Sequence, residues 1–117
     1  MNIYDLLDNI EKALDGIDLD EAVELRESEE FDSGWVRIFN IVQNTEHNEK
    51  YPKSENDKIR EKAFLKAYSV CKDDDIAAFV SDDFGLMFDA EVLGISDSWL
   101  EKLIDSYRRS VFPCGRL

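Results

Sequence analysis

The stretch DDDIAAFVSDDFGLMFDAEVLG, residues 73–94, contains the longest uninterrupted apolar run of the chain, residues 76–80. Three aspartates precede this run, and acidic side chains stabilise the positively polarised first turn of a helix. Ser81-Asp82-Asp83 repeats the arrangement in front of Phe84, and Gly94 supplies a helix stop. The stretch therefore predicts two short apolar helices, one on each side of Ser81-Asp82-Asp83.

Helical spacing of apolar residues continues on both sides of this stretch. Downstream, Ser98 and Glu101 have the spacing of a capping box that opens a last helix. Upstream, Ser54 and Asp57 are a cap signature for a long helix that reaches Cys71. The other helices are predicted after Asn2, after Asp18 and after Asp32 or Ser33, with breaks at Gly16, at the polar stretch 26–30 and at a loop over 44–54.

These elements predict an all-α fold, a single compact domain over residues 1–117 with six or seven short helices. Residues 35–42 also allow a strand, because their β-branched residues suit one. The sequence indicates an aromatic-rich core. The candidate aromatic core residues are Trp35, Phe39, Phe64, Tyr68, Phe84, Phe88, Trp99 and Tyr107.

The charge of the chain excludes some partners. The 117 residues include 27 acidic and 14 basic side chains, for a formal charge of −13. Nucleic acids and anionic lipids are polyanions, so direct binding to either is not expected. No apolar run approaches the roughly 20 residues of a membrane span, and the first residues lack the pattern of a secretory signal. We therefore expect a cytoplasmic protein that spans no membrane.

Few residues offer catalytic or metal-binding chemistry. His47 is the only histidine, and Cys71 and Cys114 are the only cysteines, which falls short of a zinc site. The aspartate clusters lack the spacing and the glycine of an EF-hand loop, and the glycines form no phosphate-binding motif. We expect no enzymatic activity, no metal and no cofactor. An enzyme that uses carboxylates alone is the alternative, because 27 acids place some of them side by side.

The acidic residues are concentrated in two segments. Residues 1–32 carry 12 acids and 2 bases, and residues 73–105 carry 10 acids and 1 base. Such a surface suits a basic protein partner, because complementary charge accelerates association. Two patches are candidates for partner contact: Asp73, Asp74, Asp75, Asp82 and Asp83, and Glu24, Glu27, Glu29, Glu30 and Asp32. An acidic nucleic-acid mimic that binds many DNA- or RNA-binding proteins is an alternative to a single partner.

Four short strings in residues 51–117 point to a family. They are Tyr51-Pro52-Lys53-Ser54, Ser81-Asp82-Asp83-Phe84-Gly85-Leu86, Trp99-Leu100 and Phe112-Pro113-Cys114-Gly115. In these strings the chain resembles the small immunity proteins of bacterial contact-dependent growth inhibition and related polymorphic toxin systems. The first half of the chain contributes no string to the resemblance.

The resemblance implies a cytoplasmic protein that binds and neutralises one cognate toxin domain, commonly a nuclease delivered by a neighbouring cell. It implies that the acidic surface covers the toxin's basic substrate cleft, or that the protein binds beside the active site. It marks no binding residues by itself. Ser81-Asp82-Asp83 is also explained as a helix cap alone.

Overall fold

The computed structural model describes residues 2–47 and 50–117. Within these ranges the chain forms seven α-helices and no strand. The helices are α1 (Ile3–Leu7), α2 (Ile10–Leu14), α3 (Leu19–Arg26), α4 (Glu29–Asn44), α5 (Lys53–Cys71), α6 (Asp74–Leu93) and α7 (Ser98–Arg108). The all-α prediction is confirmed, although α4, α5 and α6 are long, with 16, 19 and 20 residues.

The antiparallel pair of α5 and α6 is the most extensive helix contact. Lys72 makes the sharp turn between them in the left-handed conformation, with φ at 55°. Side-chain hydrogen bonds join the helices along their length, and two of them reach backbone carbonyls. The Asn56 side chain donates to the carbonyl of Gly85 at 3.2 Å, and the Ser81 hydroxyl donates to the carbonyl of Arg60 at 3.0 Å. Residues late in α6 therefore meet residues early in α5.

The prediction of two short helices around Ser81-Asp82-Asp83 is wrong, because α6 runs through this triplet without a break. A side-chain cap is needed only where backbone N–H groups lack a partner within the helix. In the middle of α6 the three polar side chains bond to other helices instead. The acidic group at the start of α6 does act as a cap, since the Asp73 carboxylate accepts from the amide of Ile76 at 2.9 Å.

The other predicted helix ends are correct at some positions and displaced at others. Asn2 and Asp18 cap α1 and α3, accepting from the amides of Tyr4 and Glu21 at 3.0 Å each. The single helix expected before Gly16 is divided at residues 8–9 into α1 and α2.

Three helices begin upstream of their predicted first residues. No cap forms at Asp32 or Ser33, because α4 already begins at Glu29. No cap forms at Ser54, because α5 begins at Lys53. Asp97 rather than Ser98 caps α7, through the amides of Trp99 and Leu100. The loop predicted over 44–54 is shorter, and its residues 48 and 49 lie outside the described ranges.

One continuous apolar cluster fills the interior, as expected of an aromatic-rich core. Phe84 and Tyr107 pack edge to face with ring centroids 4.9 Å apart, and both are fully buried. Two aromatic core predictions are wrong, since Phe39 is 40% exposed and Tyr68 is 39% exposed. Each stacks on the neighbour one helical turn earlier and lies at the edge of the core.

Gly34 allows α4 to approach α7 closely. A Cβ atom at this position would lie 2.4 Å from the indole ring of Trp99, which is closer than carbon atoms pack. The same Trp99 ring meets Phe31 edge to face at 5.3 Å. In the described part of the chain, no helix has the length and apolar character needed to cross a bilayer.

Candidate functional site

Asp83 is the centre of a buried polar network. Both carboxylate oxygens bond to the guanidinium of Arg26 at the end of α3, with Nη1 at 2.7 Å from Oδ2. The indole N–H of Trp35 donates to Oδ1 at 2.9 Å, and the hydroxyl of Tyr107 donates to Oδ2 at 2.5 Å. The Asp83 side chain is 0% exposed. Its prediction as a partner-contact residue is therefore wrong, because a buried and fully bonded carboxylate cannot reach a partner.

Arg26 is buried with Asp83, whereas the sequence placed it in a polar stretch with nothing to bury. Its guanidinium carbon lies 4.1 Å from the ring centroid of Phe31 and 5.1 Å from that of Phe79. Nη1 also donates to the carbonyl of Pro113 at 3.2 Å, which attaches the C-terminal segment to α3. Burial alone lowers the pKa of Arg26, but the Asp83 carboxylate raises it above its ordinary value. The arginine therefore remains charged in the interior.

The network also acts on Tyr107. Burial of its phenol raises the pKa of Tyr107 well above the ordinary value, and the negative charge of Asp83 raises it further. The hydroxyl thus keeps its proton and remains a donor to the carboxylate. One carboxylate on α6 thus links three other helices. Its bonds reach α3 through Arg26, α4 through Trp35 and α7 through Tyr107.

Asp82, the preceding residue of α6, points to the surface. Its carboxylate is 45% exposed and forms an ion pair with Arg60 of α5 at 2.7 Å. It also lines two cavities that flank Trp35. One, of about 210 Å³, lies among α3, α4 and α6, and the other, of about 110 Å³, lies among α4, α5 and α6.

The larger of these cavities brings together members of both predicted patches. Its lining contains Glu27 and Asp32 from one patch and Asp82 from the other. We call these three residues, with the rings of Trp35 and Phe39 beside them, the acidic groove. Trp35 stacks on Phe39 with centroids 5.6 Å apart and planes 19° from parallel. The hydrogen bond from the Trp35 N–H to the buried Asp83 fixes the orientation of the Trp35 ring.

The remaining predicted contact residues lie outside the lining of the larger cavity. Asp74 and Asp75 are exposed in the first turn of α6, next to the capping Asp73. Three glutamates of the second patch are also exposed on α3 and α4: Glu24, Glu29 and Glu30. The structure thus unites part of each patch and leaves the rest on the surrounding surface.

The roles of two residues at the groove are absent from the predictions made from the sequence. Trp35 is predicted as a core residue, yet it is half-buried and lines both cavities. Arg26 has no predicted role, although it is one of only two bases among the 12 acids of residues 1–32. A lone arginine in a strongly acidic segment was the available signal for a specific carboxylate partner.

Within the described part of the chain, the cysteines and the histidine do not form a metal-binding cluster. Cys71 and Cys114 are free and half-buried. The ring of His47 meets that of Tyr51 edge to face at 4.6 Å. Across residues 2–47 and 50–117, no group of three or more histidine, cysteine, aspartate or glutamate residues could hold a metal ion.

Comparison with protein families identifies the class: the chain is an immunity protein. The matching family model is immunity protein PIM1, it covers residues 3–114, and the chain belongs to this family. The resemblance found in the sequence is thereby confirmed at the level of an immunity protein, and the match includes the first half of the chain. A comparison with curated proteins gives no match. Membership of this family supports a role in neutralising a toxin, and immunity proteins are typically non-catalytic.

Proposed function

We propose that this immunity protein neutralises a nuclease toxin by covering the toxin's basic substrate cleft with its acidic groove. The observation that carries the proposal is the convergence of Glu27, Asp32 and Asp82 on one cavity beside a fixed tryptophan. Nuclease clefts are positively charged because they bind a polyanion. A surface that joins carboxylates to aromatic rings fits such a cleft, since aromatic residues commonly dominate binding energy.

The charge of the whole chain favours the same partner. A net charge of −13 creates a long-range field that attracts a basic surface and accelerates association. Exposed carboxylates around the groove contribute to this field without making close contacts. We propose this steering role for the half-buried Asp73 and for the exposed members of the predicted patches: Asp74, Asp75, Glu24, Glu29 and Glu30.

The biological setting is part of the proposal. We propose that the toxin belongs to a contact-dependent growth inhibition or related polymorphic toxin system, and that inhibition takes place in the cytoplasm. A toxin delivered by a neighbouring cell reaches its nucleic-acid substrate there, so its inhibitor must meet it in the same compartment. The family membership supports this setting without specifying the toxin.

The test uses the cognate toxin domain, which we propose is encoded by the reading frame immediately upstream. The chain should inhibit its nuclease activity, compete with nucleic acid for the toxin, and associate more slowly as salt concentration rises. The triple variant Glu27→Lys/Asp32→Lys/Asp82→Lys should slow association about tenfold or more and flatten its salt dependence. A control with the same charge change in and between α1 and α2, Asp5→Lys/Asp8→Lys/Glu11→Lys, should have a much smaller effect.

Three outcomes would contradict the proposal. An unchanged association rate in the groove variant would exclude steering by the groove. Inhibition without competition for nucleic acid would place the binding surface beside the toxin's active site. Comparable binding to several unrelated DNA-binding proteins would instead indicate a nucleic-acid mimic.

A further inference from the structure

The cavity of about 210 Å³ among α3, α4 and α6 combines two kinds of lining group. Three carboxylates and three aromatic rings surround it, together with the buried guanidinium of Arg26. The lining residues are Glu27, Asp32, Asp82, Phe31, Trp35, Phe79 and Arg26. We propose that this cavity binds the guanidinium group of one arginine of the toxin. The inference rests on the proposed function and specifies the partner group that the acidic groove receives.

The charged side chains that line the cavity carry a net negative charge. Arg26 is neutralised by Asp83, with which it forms a buried ion pair. Asp82 shares its charge with Arg60 on the opposite side. Glu27 and Asp32 form no ion pair within residues 2–47 and 50–117. An incoming cation therefore meets two carboxylates that have no counter-ion among the described residues.

The same region already accommodates one arginine. The Arg26 guanidinium lies over the rings of Phe31 and Phe79 while both its terminal nitrogens bond to a carboxylate. The half-buried rings of Trp35 and Phe79 offer aromatic surface to a second cation from outside. A cation over an aromatic face is attracted by the ring quadrupole, and the attraction grows as water is excluded.

The chemistry favours arginine over lysine. A guanidinium is planar, so it can stack on an indole or phenyl ring and still donate to two carboxylates at the rim. It is also less strongly hydrated than an ammonium group, so its desolvation in a ring-lined cavity costs less. The Trp35 ring is held by its bond to Asp83 and its stack on Phe39, so little side-chain freedom is lost on binding.

Neutral substitutions on the same two helices separate a close contact from long-range steering. The cavity pair Glu27→Gln/Asp32→Asn and the control pair Glu24→Gln/Glu30→Gln remove the same charge from exposed positions at α3 and α4. The cavity pair should raise the Kd for the toxin about tenfold or more, chiefly through faster dissociation. The control pair should change the association rate by no more than about threefold. Thermal unfolding of both variants confirms that each is folded.

The partner residue is found by a double-mutant cycle. Each toxin arginine is changed to lysine and combined with the cavity pair. One arginine should show a coupling of about tenfold with the cavity pair and none with the control pair.

Two results would overturn the inference. If the cavity and control pairs weaken binding equally, or if no toxin arginine couples to the cavity, the cavity binds no guanidinium. The proposed function still stands in that case, provided that the triple reversal of the groove slows association. It fails as well if that reversal also has no effect.

Discussion

Asp82 and Asp83 are adjacent residues with the same side chain, yet they belong to different regions of the molecule. Asp83 is fully buried and accepts hydrogen bonds from three different helices, whereas Asp82 is 45% exposed and pairs with Arg60 at the surface. A helix turns about 100° per residue, so neighbours on α6 face different environments. Burial, and not the amount of local negative charge, therefore decides whether a carboxylate is structural or available to a partner.

Loss of the buried carboxylate should lower the stability of the fold most. Asp83→Ala leaves Arg26 as an uncompensated buried charge and removes the acceptor for Trp35 and Tyr107. Removing one partner of a buried ion pair typically costs about 3–5 kcal/mol. Urea unfolding should therefore show a loss of stability of this size, or no folded protein.

Arg26→Met/Asp83→Leu tests whether the cost comes from the unpaired charge. This double variant removes both charges and should regain part of the stability, because an apolar replacement of a buried pair is often tolerated. A loss below about 1 kcal/mol for Asp83→Ala would show that the buried network is not required for folding.

A smaller loss of stability is expected when a single hydrogen bond of the network is removed. Tyr107→Phe deletes the hydroxyl that donates to Asp83 at 2.5 Å in the core. Leaving a buried acceptor without this partner should cost about 1–3 kcal/mol in the free energy of unfolding. Tyr4→Phe is the matched control, because its hydroxyl donates to Glu55 at 2.9 Å on an exposed surface. Equal effects in the two variants would contradict the distinction between buried and exposed partners.

Asp97 forms an ion pair with Arg37, and its side chain is more exposed than that of Asp83 but less exposed than that of Asp82. The two guanidinium nitrogens of Arg37 donate to the carboxylate at 2.7 and 3.0 Å, and the carboxylate also caps α7. The bond from Arg37, opposed by partial burial and aided by the amide of Leu100, lowers the pKa of Asp97 from 3.8 to about 2. A lowered pKa in the folded state stabilises the fold above the unfolded-state pKa, and this contribution is lost as the pH falls through the folded-state value.

Asp97→Asn should therefore lower stability by about 1–2 kcal/mol at neutral pH while preserving a side-chain cap. The difference between the two proteins should shrink as the pH falls from 3.8 to about 2. Urea unfolding followed at several pH values measures this difference. A constant difference across that interval would show that the charge of Asp97 does not contribute.

Local patterns predicted the helical class because apolar spacing and short-range caps are properties of neighbouring residues. The caps at Asn2, Asp18 and Asp73 needed only their own turn of helix. The break predicted at Ser81-Asp82-Asp83 failed because the partners of these side chains lie on α3 and α5, far away in sequence. No periodicity in a single sequence records such tertiary pairing.

The candidate site was likewise predicted only in part. Exposed carboxylates could be proposed from composition, and Glu27, Asp32 and Asp82 do meet at one cavity. Asp83 was misassigned because a buried and an exposed aspartate look identical in sequence. The aromatic part of the groove was missed because Trp35 follows the apolar stripe of α4 but lies at its edge, half-buried.

Substitution of Asp82 should have the smallest effect on stability, and it should weaken toxin binding without unfolding the protein. Asp82→Asn breaks an exposed ion pair with Arg60, and such pairs contribute roughly 0–1 kcal/mol. Unfolding should therefore change by less than about 1 kcal/mol, in contrast to the adjacent Asp83. The same variant also removes charge from both cavities beside Trp35, so toxin binding should weaken although the fold does not. A large loss of stability, or unchanged toxin affinity, would show that the two aspartates do not divide structure and recognition between them.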